Sequence, residues 1–212
     1  MKRFFDIFFS LIGIILLGPI IIIILILVWN NDKSWPLYVS NRVGLKGKYF
    51  KMIKIRTMVV DADMTGIDST SLDDKRITKI GNFCRKYKLD ELTQLINILF
   101  GDMSFVGPRP NVKREIDIYS NMELNLLSIK PGLTDFASIV FSDESKILIG
   151  REEPDISYNQ LIRPGKSKLG LFYLKKNNIF IDFVLILITL VNLFSRKVAL
   201  NLICKILIIL KA

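Results

Sequence analysis

Two adjacent carboxylates, Asp90-Glu91, and an arginine set between prolines, Pro108-Arg109-Pro110, fall within one short stretch, KLDELTQLINILFGDMSFVGPRP over 88–110. An ionised aspartate can attack phosphorus or hold Mg2+. The planar fork of arginine suits two-point recognition of a phosphate. Prolines on both sides fix the backbone around Arg109 and so restrict where its guanidinium points. Gly101 and Gly107 leave room for backbone amides to approach an anion. An acidic pair in an opening helical turn also serves helix stability alone, and a proline-rich loop also serves as a helix stop. Neither structural role requires the arginine between the prolines. Lys54 and Arg56, which repeat on one face of a strand, and Arg85 are further candidates for phosphate contact.

Composition narrows the chemistry. Histidine is absent from the 212 residues, which removes imidazole acid–base catalysis, Ser-His-Asp triads and His-liganded zinc. Carboxylates, Lys, Tyr and backbone dipoles are left. Thirty basic against twenty acidic residues give a net charge of +10, which suits anionic partners: a lipid surface, phosphorylated substrates or nucleic acid. For nucleic acid there are no RNP-like aromatics, zinc spacing or glycine clamp, so that partner is set aside. Cys84 and Cys204 fit neither a disulfide framework nor a metal knuckle and read as two buried thiols.

The elements that must position the charged stretch follow from periodicity. Leu37–Ser40 and Tyr49–Met58 alternate around Gly44-Leu45-Lys46-Gly47, the pattern of a β-hairpin. Residues 59–76 are acidic, rich in Ser and Thr, and predict a mobile loop. Helical spacing runs through Ile80, Phe83, Cys84 and Tyr87, then Leu89, Leu92, Leu95, Ile96 and Leu99, with Gly101 as its stop. This turns Asp90 and Glu91 off the apolar stripe, in an opening turn or near a joint. Residues 111–128 predict another amphipathic helix, followed by a turn at KPGLTD.

Both ends of the chain are apolar. Ile7–Trp29 runs 23 residues without a charge, roughly 34 Å as a straight helix and long enough to cross a bilayer. Gly18-Pro19 interrupts it, where proline removes a hydrogen bond and kinks a helix. Lys and Arg flank both sides, although one flank of a spanning helix should be poor in them. A helix bent at Pro19 that enters and leaves the same leaflet satisfies both flanks; a kinked single span is the other arrangement. Arg3 and Asp6 have the spacing of an interfacial pair. At the far end, 179–194 and 198–210 are apolar but interrupted by charged and polar residues, as in helices that lie in the headgroup plane. Packing against the domain core is the competing reading for the first of these.

The block LDEL-QL-N-L-GDMSFVGPRP over 89–110 resembles the signature of the bacterial sugar transferases that act on polyprenyl phosphate, the monotopic phosphoglycosyl transferases. NRVGLKGKYFKMIKIRTM (41–58), KPGLTDFASI (130–139), the N-terminal KRFFDI with its proline-broken apolar run, and late YLKK (173–176) and IDF (181–183) extend the likeness over nearly the whole chain. The resemblance implies a mainly helical α+β fold on the cytoplasmic face of a bacterial inner membrane. A kinked re-entrant helix (1–30) would anchor a catalytic domain (31–178) with a small β-hairpin, and interfacial helices (179–212) would follow. It implies that Asp90 attacks the β-phosphate of a UDP-sugar, releasing UMP, and that polyprenyl (undecaprenyl) phosphate then takes up the phosphosugar. Glu91 would help hold Mg2+, and Arg109 would orient a phosphate or the uridine end. The product would begin a surface glycan such as O-antigen or capsule. Two departures stand out: the helix-breaking pair is Gly18-Pro19 where the family usually has Ser-Pro, and PGLTDFAS (131–138) replaces the common PGITGWAQ.

Two other readings compete. Asp61-Ala62-Asp63 has the DxD form used by metal-dependent glycosyltransferases, but lies in a polar loop without a nucleotide-binding αβ repeat. A non-catalytic basic scaffold on the membrane surface would explain the charge and the apolar ends, but not the acidic pair together with Pro-Arg-Pro. A second acidic pair, Asp143-Glu144, reads as a solvated loop.

Overall fold

The computed structural model describes residues 1–67 and 69–211. A long helix α1 (Lys2–Asp32) leads into an antiparallel hairpin, β1 (Leu37–Val43) and β2 (Tyr49–Ile55), then helices α2 (Lys79–Lys86) and α3 (Gln94–Phe100). Short elements follow: β3 (Ser104–Val106), α4 (Lys113–Ile116), β4 (Gly132–Thr134), α5 (Phe136–Val140) and α6 (Glu144–Ile147). Helices α7 (Pro154–Leu161), α8 (Arg163–Lys176), α9 (Ile179–Phe194) and α10 (Arg196–Ile209) close the chain. The fold is mainly helical, with the predicted hairpin in the register Leu37–Ile55 to Val43–Tyr49.

Helix α1 lies lengthwise against the rest of the chain. Its C-terminal half buries Ile24 and Val28 with Ile55 and Cys84. Its N-terminal half sets Ile14 and Leu17 on Leu95, Ile98 and Met103. Both ends are tied down by polar bonds. Lys2 Nζ donates to Asp182 (2.6 Å), the Tyr173 hydroxyl (2.8 Å) and the Val106 carbonyl (2.9 Å). Arg3 caps α3 through the carbonyls of Ile98 and Leu99. At the other end, Arg56 grips both oxygens of Asp32 at 2.6 and 2.7 Å, and this fork holds the Asp32 carboxyl down to about 2. The opposite face of α1 (Phe4, Phe8, Leu11, Ile15, Leu16 and Ile23 among others) is exposed. Pro19 lies inside the helix, which runs from Lys2 to Asp32. The suggested Arg3–Asp6 pair does not form. Asp6 instead accepts from Ser104 Oγ and the Phe105 amide, because burial against β3 offers it fixed donors.

Several sequence expectations are corrected. The stripe from 80 to 99 is two helices, broken where Lys88 adopts a left-handed backbone (φ 56°) and residues Leu89–Glu91 form a single 3-10 turn. Residues 111–128 form only α4 and a 3-10 turn over Glu123–Ser128. KPGLTD contains β4, which pairs in parallel with β3. The pairing needs glycine on both sides: a Cβ on Gly107 would meet the Lys130 carbonyl at 2.3 Å, and one on Gly132 the Gly107 amide at 2.1 Å. Loop 59–76 is pinned rather than free, since Arg76 bonds Asp74 and Thr65 and Leu72 N donates to Ser145 O; Asp68 lies outside the described residues. Cys84 is buried, whereas Cys204 is exposed on the last helix. Helix α9 contributes Ile181, Leu185 and Ile188 to the core around Phe136 and Tyr173, and it also exposes Phe180, Phe183, Leu187 and Phe194.

Asn97 fixes the distance between α3 and the hairpin. Its Oδ1 accepts from the Ile53 amide (3.0 Å) and its Nδ2 donates to the Lys51 carbonyl (2.7 Å), while Thr93 Oγ1 donates to the Ile53 carbonyl (3.0 Å). These side chains supply to the free edge of β2 the bonds that a further strand would supply. Asn97→Ala strands two backbone groups and is expected to cost about 2–4 kcal/mol. Chemical denaturation of the detergent-solubilised protein measures it; a loss under about 0.5 kcal/mol contradicts the role.

Candidate active site

The break at Lys88 determines where the carboxylates point. With α2 ended and α3 not yet begun, the 3-10 turn carries Asp90 and Glu91 into the domain, and both are buried. Glu91 Oε1 accepts from Lys54 Nζ at 3.0 Å and from Arg109 Nη2 at 2.7 Å. One oxygen therefore joins β2, the 3-10 turn and the Pro-Arg-Pro loop. Burial alone would raise the Glu91 pKa, but Arg109, Lys54 and Lys88 together hold it well below the ordinary carboxylate range. The Arg109 pKa is raised, chiefly by the Glu91 charge, and burial lowers that of Lys54. Asp90 Oδ1 is buried with no hydrogen-bond partner among the described residues.

The loop that aims Arg109 is held from both sides. Gly107 N donates to the Thr134 carbonyl, Gly132 N to the Pro108 carbonyl, and Val43 N to the Asn111 carbonyl. Pro110 is buried between these anchors. The Gly107 amide is thus used by the sheet and not open to an anion, and Gly101 caps α3 with φ 93°. Arg109 keeps 37% of its side chain exposed and lines a cleft, open to solvent, with Pro108, Asp135, Tyr158, Arg163 and Lys166.

The remaining candidates divide. Arg85 bonds Thr57 Oγ1 at 2.9 Å; burial lowers its pKa and the nearby Asp90 opposes that, so it sits within reach of the acidic pair's charge. Arg56 is drawn away to Asp32, beyond the end of β2. Gly18 and Pro19 lie in α1. Of the segment that departs from the family pattern, Asp135 caps α5 by accepting from Ser138 N (2.6 Å) and lines the cleft, while Phe136 is fully buried in the core. Asp61 and Asp63 lie at a 3-10 turn over Ala62–Thr65. Asp143-Glu144 is not a solvated loop: Asp143 pairs with Arg196 and Glu144 with Lys166. Asn97, Lys166 and Tyr158 are not among the candidates that the sequence marks. Asn97 alone left a local signal, as a polar residue within the apolar run of α3.

The family profile described as "Bacterial sugar transferase" matches residues 1–196. The chain belongs to that family. It is 36% identical over 200 residues to "Galactosyl transferase CpsE" of Streptococcus agalactiae serotype III (strain NEM316), covering 89% of this chain and 41% of that protein. It is 44% identical over 109 residues to "Putative undecaprenyl-phosphate N-acetylgalactosaminyl 1-phosphate transferase" of Bacillus subtilis (strain 168), covering 51% of this chain and 61% of that one. A third relative, "UDP-glucose:undecaprenyl-phosphate glucose-1-phosphate transferase" of Klebsiella pneumoniae, is 31% identical over 201 residues, covering 93% and 41%. The chain thus spans 41–61% of the length of these relatives.

Glu91→Gln would leave Lys54 and Arg109 facing a neutral group. The expected loss at pH 7 is about 2–4 kcal/mol, a little under the range of about 3–5 kcal/mol for breaking a fully buried pair, because Arg109 is partly exposed. Because the folded-state Glu91 pKa is depressed, its stabilisation is complete above about pH 4.5 and fades as pH falls through the lower folded value. Melting temperatures of the two proteins should therefore converge only in acid. A gap that is unchanged from pH 7 down to pH 3 contradicts the assignment.

Proposed function

We propose that this chain transfers a sugar 1-phosphate from a UDP-sugar to polyprenyl (undecaprenyl) phosphate through an ester on Asp90. The observation that carries the reading is the buried, unpartnered Asp90 oxygen beside a Glu91 already clamped by Lys54 and Arg109. A carboxylate oxygen relieved of hydrogen bonds keeps its nucleophilic lone pairs, and its neighbour's cations stand ready for phosphate charge. In the first step an Asp90 oxygen bonds the β-phosphorus, the bridge to the α-phosphate breaks, and UMP leaves with the electron pair. In the second, an oxygen of polyprenyl phosphate attacks the same phosphorus and Asp90 departs as carboxylate. Arg109, open to the cleft and bonded to Glu91, would hold a phosphate oxygen through both steps. Lys54 and Arg85 would balance the charge around it.

Mg2+ fits such a site. That ion is commonly bound by one or two carboxylates with substrate phosphates completing its shell, and Asp90 with Glu91 supply a contribution of that size. Among the described residues no group of three or more His, Cys, Asp or Glu could hold a metal unaided, so donor phosphates would complete the site. When bound, the ion neutralises the diphosphate.

The same reading has the protein rest on one leaflet, on the cytoplasmic face of the inner membrane where nucleotide sugars are found. Its support is that both ends of α1 are bonded to one body, at Asp182 and Arg56, while the outward face of this 31-residue helix is apolar along its length. A helix of that length measures about 46 Å, and a transmembrane course would carry one end away from its partners. The exposed apolar side chains of α9 and α10 would meet the same interface.

With a UDP-sugar and polyprenyl phosphate in detergent, the expected nucleotide product is UMP. UDP would favour ordinary glycosyl transfer, and neither would favour the scaffold. Asp90→Ala should cut turnover at least about a thousandfold while its thermal midpoint stays level or rises, since one oxygen of the carboxyl removed is buried without a hydrogen-bond partner. EDTA should stop UMP release and added Mg2+ should restore it. Normal turnover by Asp90→Ala contradicts the proposal.

A further inference from the structure

Two further cations line the cleft beyond Arg109: Arg163, bonded to the Ile118 carbonyl and paired with Glu123, and Lys166, which the chemistry above does not use. Lys166 stands in the first turn of α8 with only 13% of its side chain exposed. Its ammonium lies 5.2 Å from the centre of the Tyr158 ring and pairs with the Glu144 carboxylate from α6. Glycine at 165 favours this position: a Cβ there would meet the ring of Phe141, just past α5, at 2.6 Å and would have to displace it. Asp135, whose burial raises its pKa, feels the charges of both Lys166 and Arg109, which places the two cations around one space.

We propose that Lys166 is the second phosphate-holding cation of the cleft, taking the nucleoside-side phosphate of the donor, and that Glu144 occupies it only until a nucleotide arrives. The inference rests on the donor reading given above. A buried ion pair adds little net stability over apolar packing, so fold stability alone does not call for a lysine and a glutamate here. The two cations instead have the same arrangement: Arg109 is held by Glu91 and Lys166 by Glu144, each at the wall of one cleft. A donor diphosphate carries two adjacent anionic groups. Arg109, beside the acidic pair, suits the phosphate that reacts. Lys166 suits the one that leaves with the nucleoside, because a compact ammonium can exchange a carboxylate for a phosphate without needing a fixed fork. Glu144 belongs to a single-turn helix, Glu144–Ile147, so its withdrawal does not require a long element to move.

The test is binding of UMP to the full-length protein in detergent at fixed Mg2+, measured by titration calorimetry, with no sugar or lipid acceptor present. Lys166→Met should weaken binding about tenfold or more, the scale of one charge-assisted contact, and Lys166→Arg should stay within about threefold of the parent. Glu144→Gln frees the ammonium and should tighten binding about threefold. Equal binding by Lys166→Met, weaker binding by Glu144→Gln, or no UMP binding by the parent each overturns the inference. Failure of the Asp90 chemistry would show differently, as absence of UMP among the products of turnover, whatever the affinity of the cleft for UMP.

Discussion

The site depends on one carboxylate oxygen shared by two cations. Glu91 Oε1 is bonded by Lys54 from the hairpin and by Arg109 from the loop after β3, segments far apart in the chain. Buried in a medium where charge is poorly screened, these three groups hold each other in place and leave Asp90 alongside with an oxygen that nothing satisfies. An unsatisfied buried carboxylate oxygen costs stability in an empty protein. Such a cost is expected where a group is kept for attack rather than for structure.

The rest of the fold can be understood as the means of bringing those segments together without histidine, disulfides or a large sheet. Asn97 and Thr93 dock α3 on the open edge of β2. Gly107 and Gly132 let β3 and β4 approach closely enough to set the Pro-Arg-Pro loop. Lys2, Tyr173 and Asp182 tie the start of α1 and the start of α9 to the carbonyl of Val106, the residue before that loop begins to turn. Helix α1 and the Pro-Arg-Pro loop therefore share a fastening, and the apolar face of α1 is held at a fixed orientation to the acidic pair.

Elements with a long period or strong punctuation were legible in the sequence: the apolar N-terminal run, the hairpin around Gly44–Gly47, the helix stop at Gly101, and the acidic pair off the apolar stripe. What could not be read depends on contacts distant in the chain. Lys88 breaks the helix although it is not glycine, and its neighbours keep helical spacing through the break. Strands β3 and β4 are three residues each, too short for alternation to register, and their glycines are explained only by each other. Arg56 shares a strand face with Lys54 by spacing, yet β2 ends at Ile55 and Asp32 captures the guanidinium just past that end. Lys166 and Glu144 carry no local pattern that marks a cleft; only the packing of α8 on α5 makes them neighbours.

A covalent bond from Asp90 to phosphorus is the central step of the proposed reaction, and mass spectrometry reads that bond directly. Full-length protein mixed with a UDP-sugar and Mg2+ in the absence of polyprenyl phosphate, quenched in acid and digested, should yield the peptide containing Asp90 heavier by one sugar phosphate. That added mass should be lost when polyprenyl phosphate is supplied before the quench. A protein that releases nucleotide while every peptide keeps its unmodified mass, or that carries the phosphosugar on a different residue, contradicts it.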